Sequence, residues 1–193
     1  MKYILIGAGS RGMTYGQCAI DLGIEIAAVA ELRPDRLTHA GEVLQVPPQM
    51  RFRNASELLA LGKIADAAII ATMDRDHLGH VMSALDCGYD ILLEKPISPD
   101  PKECMVIEAK ANSLGKKITV CHVLRYTNFF MKIKEILDSG ELGKIVAIKH
   151  SENIGNFHMA HSFVRGNWRK EADSSPIILA KSCHDLDILL WLT

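Results

Sequence analysis

No apolar run in the 193-residue chain approaches the roughly 20 residues that a membrane-spanning helix needs. Its first apolar stretch, Tyr3 to Ile6, is too short and wrongly flanked for a secretory signal. The chain has almost no net charge: 22 basic side chains against 23 acidic ones leave −1. That balance gives neither nucleic acid nor an anionic membrane an electrostatic footing, so neither is an expected partner. There is no Cys-x-x-Cys pair, and the five cysteines (Cys18, Cys87, Cys104, Cys121, Cys183) are odd in number. This pattern suits reduced thiols in a cytoplasmic protein, most of them packed as small apolar groups. Low-complexity tracts and solenoid repeats are absent too. What remains is ordinary globular composition, 48% hydrophobic, long enough for one large domain or for one domain and part of another.

The most informative stretch is Met1 to Gln17. Tyr3 to Ile6 reads as a buried parallel strand. Gly7, Gly9 and Gly12 follow with dinucleotide-binding spacing. Gly7 permits the turn out of the strand, Gly9 lets the backbone approach a pyrophosphate, and Gly12 lets the next helix pack on the sheet. The helix from Arg11 offers its N-terminal amides to phosphates. A second strand, Ile24 to Ala30, ends in Glu31, nineteen residues past Gly12. An acid there accepts hydrogen bonds from ribose hydroxyls. Glu31 favours NAD, because a carboxylate repels a 2′-phosphate; Arg11, Arg33 and Arg36 keep NADP open. The plainer alternative is a glycine-rich turn in another α/β protein, with Glu31 a surface charge.

Strands and helices then alternate, which predicts an α/β fold with a doubly wound parallel sheet. Helices are expected over Pro34–Gln45, from Asn54 (an N-cap with Glu57 three residues on), over Asp76–Cys87 and over Pro101–Leu114. Strands are expected over Met50–Arg53, Ala65–Ala71, Asp90–Leu93 and Lys117–Cys121. The pattern then changes. A helix is expected over Asn128–Ser139, a long alternating strand over Lys144–Glu152, and loop over Gly155–Ser174. A last helix over Pro176–Leu192 would have Ser175 as its N-cap and Pro176 at its first position. The expected organisation is a nucleotide-binding Rossmann domain over 1–122 and an incomplete second α/β domain over 123–193.

Glu94-Lys95-Pro96 sits at the carboxyl end of a predicted strand, where open α/β sheets bind ligands. A lysine there can act on a substrate hydroxyl. The proline suggests a tight turn. The alternative is a turn carrying a surface Glu94–Lys95 ion pair. The last helix places Lys181, His184, Asp185 and Asp187 among apolar residues, with His184 able to sit beside Lys181 or Asp187. That is an acid–base constellation. The alternative is a satisfied core histidine with a solvated Lys181–Asp185 pair. His158, His161, Arg165 and Trp168 read as substrate contacts suited to a sugar or polyol. No metal is expected: His158-x-x-His161 is a weak signal without a third ligand at family-type spacing, and hydride transfer to nicotinamide needs none.

These residues resemble the glucose–fructose oxidoreductase / inositol dehydrogenase (Gfo/Idh/MocA) family of nicotinamide-dependent oxidoreductases, over essentially the whole chain. The resemblance rests on Gly7-Ala-Gly-Ser-Arg-Gly12, Ala71-Thr72 followed by His77, Glu94-Lys95-Pro96, Arg125-Tyr126, and His184-Asp-Leu-Asp187 followed by Trp191-Leu192. It implies a Rossmann domain followed by an α/β domain with an open sheet. It implies cofactor contacts at Gly7, Gly9, Ser10, Arg11, Gly12, Glu31, Thr72, His77, Glu94 and Lys95. Lys95 matches the lysine that meets both nicotinamide and substrate, His184 the acid–base histidine, and Arg125 an arginine beyond the sixth strand. Lys181 joins the expected substrate contacts.

Two departures stand out. The family's Asp four residues before the histidine is Ala180 here, and the second domain normally continues well past Thr193. The chain is then a fragment or a truncated product, or partner chains supply the missing surface; a homo-oligomer is expected. The implied reaction is hydride transfer between NAD(P) and a hydroxyl-bearing carbon of a sugar, inositol or related polyol. Two rivals remain: a redox-neutral glycosidase that keeps NAD bound, and a regulator that binds the dinucleotide without turnover.

Overall fold

A computed structural model describes residues 1–193. The chain divides into two compact units, Met1–Val120 and Cys121–Thr193.

The first unit is built on six parallel strands: β1 (Lys2–Ile6), β2 (Glu25–Ala30), β3 (Arg51–Phe52), β4 (Ala67–Ile70), β5 (Asp90–Leu93) and β6 (Ile118–Val120). Their order across the sheet is β3-β2-β1-β4-β5-β6, and every neighbouring pair is parallel. This is the doubly wound order, in which the chain reverses direction between β1 and β4 and opens a crevice at their carboxyl ends. Both faces of the sheet are covered. Ile4 and Ile6 of β1 join Ala68, Ile70, Ile91 and Leu93 in one apolar cluster, completed by α3 (Ala55–Leu59), α4 (His77–Asp86) and α5 (Pro101–Ser113). Leu5, between them, points the other way with Val29 and Ile69, under α1 (Ser10–Asp21) and α2 (Pro34–Val43). The period of two therefore assigns alternate residues to opposite cores, each fully buried aliphatic side chain contributing about 1.5–3 kcal/mol. The Asn54 cap forms: its side chain accepts from the Glu57 amide at 2.9 Å.

The second unit contains α6 (Asn128–Asp138), a short helix α7 (Asn156–His158) running into a wide turn over Met159–Val164, and α8 (Ile177–Leu192). Three expectations are corrected here. Lys144–Glu152 is not a strand; no second strand of this unit pairs with it, and an alternating sequence becomes a strand only when its amides find a ladder. Its apolar residues stay outside, with Val146 96% exposed. Gly155–Ser174 is not plain loop, because α7 and the following turn close backbone hydrogen bonds such as Arg165 N to Ala160 O at 3.0 Å. Ser175 does not cap the last helix. Pro176 takes an extended ψ of 144°, which moves the helix start to Ile177.

All five cysteines are free thiols. No helix is long and apolar enough to cross a membrane.

Candidate functional site

The glycine loop is shaped by contacts that leave no room for a side chain at two of its three glycines. Gly7 leaves β1 with φ +89°, and a Cβ there would meet Ala71 O at 2.6 Å. Its amide donates to Ala30 O at 2.8 Å, which fastens the loop to the end of β2. A Cβ on Gly12 would lie 1.9 Å from Gly7 O, so α1 is drawn onto the loop as only glycine allows. At Gly9 the nearest atom to such a Cβ is Arg36 Nη1 at 3.7 Å, so the backbone there is open to approach. The first turn of α1 carries no acid, and no side chain caps its N-terminus. Its amides are thus free to face an anion, with the exposed Ser10 and Arg11 beside them.

Glu31 completes this cradle. Its Oε2 accepts from the Ala8 amide at 2.8 Å and its Oε1 from the Arg33 amide at 3.0 Å. Each oxygen keeps a lone pair for a ribose hydroxyl. Arg33 itself is paired with Asp35 at 2.7 Å, which raises the guanidinium and lowers the carboxyl from their ordinary values. Of the three arginines able to offset a 2′-phosphate, Arg36 is the one set against the loop. The residues present fit a dinucleotide.

The ends of β4 and β5 carry the second part of this site. The Glu94 amide continues the ladder to Ile70 O at 2.9 Å. The residue is 7% exposed and its carboxyl group is turned inward: Oε1 accepts from Tyr15 OH at 2.5 Å, and Oε2 from the Lys95 amide at 2.7 Å. The Arg11 Nε lies 4.0 Å from the same Oε1. The alternative of a solvated Glu94–Lys95 surface pair is therefore not what forms. Lys95 follows half-buried, and the Lys95–Pro96 peptide is cis. His77 is placed differently from the expected cofactor contact: it is fully buried, and its Nδ1 lies 2.9 Å from Pro96 O, behind the Lys95 turn. Thr72 meets His80 instead, Oγ1 to Nδ1 at 3.1 Å. Burial pushes the His80 imidazole below its ordinary value; the charge of Asp76 opposes this and His77 adds to it.

In the second unit, α8 aims its ionisable groups at distinct partners. Asp187 accepts a fork from Arg125, Nε at 2.7 Å and Nη2 at 2.5 Å, and that pairing raises the guanidinium further. The Arg125 guanidinium lies over the Trp191 ring at 5.9 Å. His122 Nε2 is 3.9 Å from the same aspartate, and its ring meets that of His184 edge-on with centroids 5.9 Å apart. Asp185 faces His150 at 2.8 Å, and Lys181 pairs with Glu152 at 2.9 Å. The alternative of a solvated Lys181–Asp185 pair does not form; each residue pairs instead with the 150–152 segment. His161 stacks on Phe157 at 5.7 Å, and His158 meets Phe163 edge-on at 5.8 Å. Arg165 is exposed and Trp168 half-buried in the same stretch.

Sequence reasoning missed Tyr15 and His80. Only Tyr15 carried a local signal, lying four residues after Arg11 on one face of α1.

Comparison with known proteins gives consistent matches. Residues 1–122 match the model of an oxidoreductase family's NAD-binding Rossmann fold, and residues 134–193 that family's C-terminal alpha/beta domain. Oxidoreductase YteT of Bacillus subtilis is 32% identical over 136 residues, covering 70% of this chain and 31% of that protein. An inositol 2-dehydrogenase of Rhodococcus erythropolis is 29% identical over 198 residues, covering 100% of this chain and 52% of its own length. The scyllo-inositol dehydrogenase of Lactobacillus casei with bound NAD(H) and scyllo-inositol superposes with a TM-score of 0.84 at 23% identity, over 100% of this chain and 56% of that one. The chain spans between a third and about half the length of the curated relatives it matches.

Proposed function

The chain belongs to the Gfo/Idh/MocA oxidoreductase family, its residues 1–122 being the NAD-binding Rossmann domain, and on that premise we propose that it takes part in hydride transfer between NAD and a hydroxyl-bearing carbon of an inositol, sugar or related polyol. The observation that carries the reading is the pairing of an open Gly9 backbone with a Lys95 turn built on the same sheet crevice.

Bound NAD supplies the hydride acceptor, or as NADH the donor. The chain's own residues do the rest. The amides of the first turn of α1 hold the pyrophosphate, and Glu31 accepts from the adenosine ribose. Glu94, fixed by Tyr15, sets the backbone of Lys95, whose ammonium orients the reacting oxygen of the substrate. His184 takes or gives the proton of that hydroxyl. Asp187 and Arg125 brace the helix that carries it. His158, His161, Arg165 and Trp168 offer hydrogen-bond donors and aromatic surface to a polyol. The organisation into 1–122 and 123–193, and assembly with further copies, belong to the same reading. The inositol dehydrogenases among the relatives support the substrate class.

The test is a calorimetric titration of the chain with NAD and NADP, followed by a screen of inositols and sugars for NADH formation. NAD binding with turnover that disappears in Lys95→Ala, while binding persists, supports the proposal. Undiminished turnover in that variant refutes the role of Lys95, and a folded chain that binds no dinucleotide refutes the loop reading.

A further inference from the structure

The fold brings together three metal-ligating side chains that no sequence motif joins. His150 and Glu152 lie two residues apart, and in extended chain that spacing sends both side chains to one side. That side holds α8. His150 Nε2 lies 2.8 Å from Asp185 Oδ1, and one ligand atom from each of His150, Glu152 and Asp185 lies within 4.8 Å of the others. Lys181, one helical turn before Asp185, places its ammonium 2.9 Å from Glu152 Oε1.

We propose that His150, Glu152 and Asp185 form a binding site for a divalent cation of the Mn²⁺ or Zn²⁺ type, and that the Lys181 ammonium stands in for the ion when none is bound. One imidazole nitrogen and two carboxylates suit these first-row ions better than they suit Ca²⁺, which takes only oxygen. Metal–ligand bonds of about 2.0–2.2 Å place neighbouring ligand atoms about 3–3.5 Å apart, so the triangle has only to close by about an ångström and a half on its long side. Glu152 can make that movement, since it lies on an irregular segment and is 35% exposed.

The charges also match. Two carboxylates neutralise one divalent ion, whereas Lys181 alone offsets only one of them. The Asp185 side chain is 11% exposed, and a buried carboxylate gains most from a closely held cation. The Lys181 side chain is 26% exposed, so its ammonium reaches water on a flexible stem when displaced. A partly exposed ion pair of this kind contributes little, which coordination outweighs. Three protein ligands leave coordination positions open for water or for the oxygens of a bound molecule.

The experiment is titration calorimetry of the chelator-stripped chain with MnCl₂ and, separately, ZnCl₂, repeated on His150→Ala, Glu152→Gln, Lys181→Met and the double variant His158→Ala/His161→Ala. The expected result is one equivalent of ion bound by the wild type. His150→Ala and Glu152→Gln should each weaken binding by about tenfold or more, since even outer-shell partners carry about 10–100-fold in metal affinity. Lys181→Met should tighten it, because the competing ammonium is gone, and the double variant should bind as the wild type does. Circular dichroism on each variant establishes that it is folded. Glu152→Gln, at an exposed position, tests the site even if His150→Ala does not fold. Absence of binding at about millimolar metal by both wild type and Lys181→Met overturns the proposal and leaves an ion-pair network. Binding lost only in the double variant overturns it too, by assigning the ion to His158 and His161.

Discussion

The Tyr15 hydroxyl donates a 2.5 Å hydrogen bond to Glu94 Oε1 and so ties the glycine-loop helix to the turn that presents Lys95. The two residues stand 79 apart in sequence. The other oxygen of the same carboxyl group accepts the Lys95 amide. Tyr15→Phe leaves the ring in place and takes away the donor. The buried Glu94 Oε1 then loses its hydroxyl donor, which should lower stability by about 1–3 kcal/mol. Chemical denaturation of the two proteins measures it. A variant as stable as the wild type would show that the bond is not a latch.

A second prediction concerns acid. Burial holds the His80 imidazole below its ordinary value. As pH falls through about 6.5, the unfolded chain takes up a proton that the folded chain refuses. The stability contributed by this group is complete above that pH and declines as pH drops toward the folded value. His80→Asn loses the contact with Thr72 but also removes the titration. Its unfolding free energy should therefore vary less with pH between about 5 and 6.5 than that of the wild type. Parallel slopes for the two proteins would contradict the assignment.

The legible parts of this molecule were those whose cause is local. The strand, glycine loop and helix over Lys2–Asp21 follow from spacing alone, as do the Asn54 cap and the bounds of β5. Lys144–Glu152 misled because alternation reports a preference, while a strand needs a neighbour to bond with. Ser175-Pro176 misled because the cap signature fits either register, and Pro176 adopted the extended one. The polar contacts were least legible. Adjacency left a Glu94–Lys95 ion pair open as an alternative, and nothing local pointed to Tyr15, 79 residues away, as the partner of Glu94. The i,i+4 spacing likewise left a Lys181–Asp185 pair open as an alternative, yet each residue found a partner on the 150–152 segment.

The Arg125–Asp187 fork makes a third prediction. Asp187 has a side chain 10% exposed and Arg125 one 36% exposed, so the pair lies between surface and core. Removing the arginine should destabilise the second unit by about 1–3 kcal/mol, between the exposed and buried limits. Arg125→Lys should recover only part of that, because an ammonium cannot reproduce the fork. The guanidinium is raised above its ordinary value by this partner, so it stays charged and its contribution should not change across neutral pH. A double-mutant cycle with Asp187→Asn, run at two pH values near neutrality, gives the coupling energy directly. A coupling near zero would reduce the fork to a surface contact.

Gly9 and Gly12 should separate binding from folding. A methyl on Gly12 would lie 1.9 Å from Gly7 O, so either the loop or α1 must shift. Gly12→Ala is expected to lose about 1–3 kcal/mol of stability, the usual penalty of overpacking, and dinucleotide affinity with it. Gly9 is different. Its φ of −70° suits alanine, and the nearest atom to its Cβ is Arg36 Nη1 at an ordinary 3.7 Å. Gly9→Ala should therefore melt within about half a kcal/mol of the wild type. Its methyl group would still project where the pyrophosphate must approach, so NAD should bind about tenfold more weakly or worse, a difference of about 1.4 kcal/mol. Melting curves and NAD titrations on the two variants decide the matter. Undiminished NAD affinity in Gly9→Ala would mean that the dinucleotide does not lie over this loop, however well the glycines are spaced.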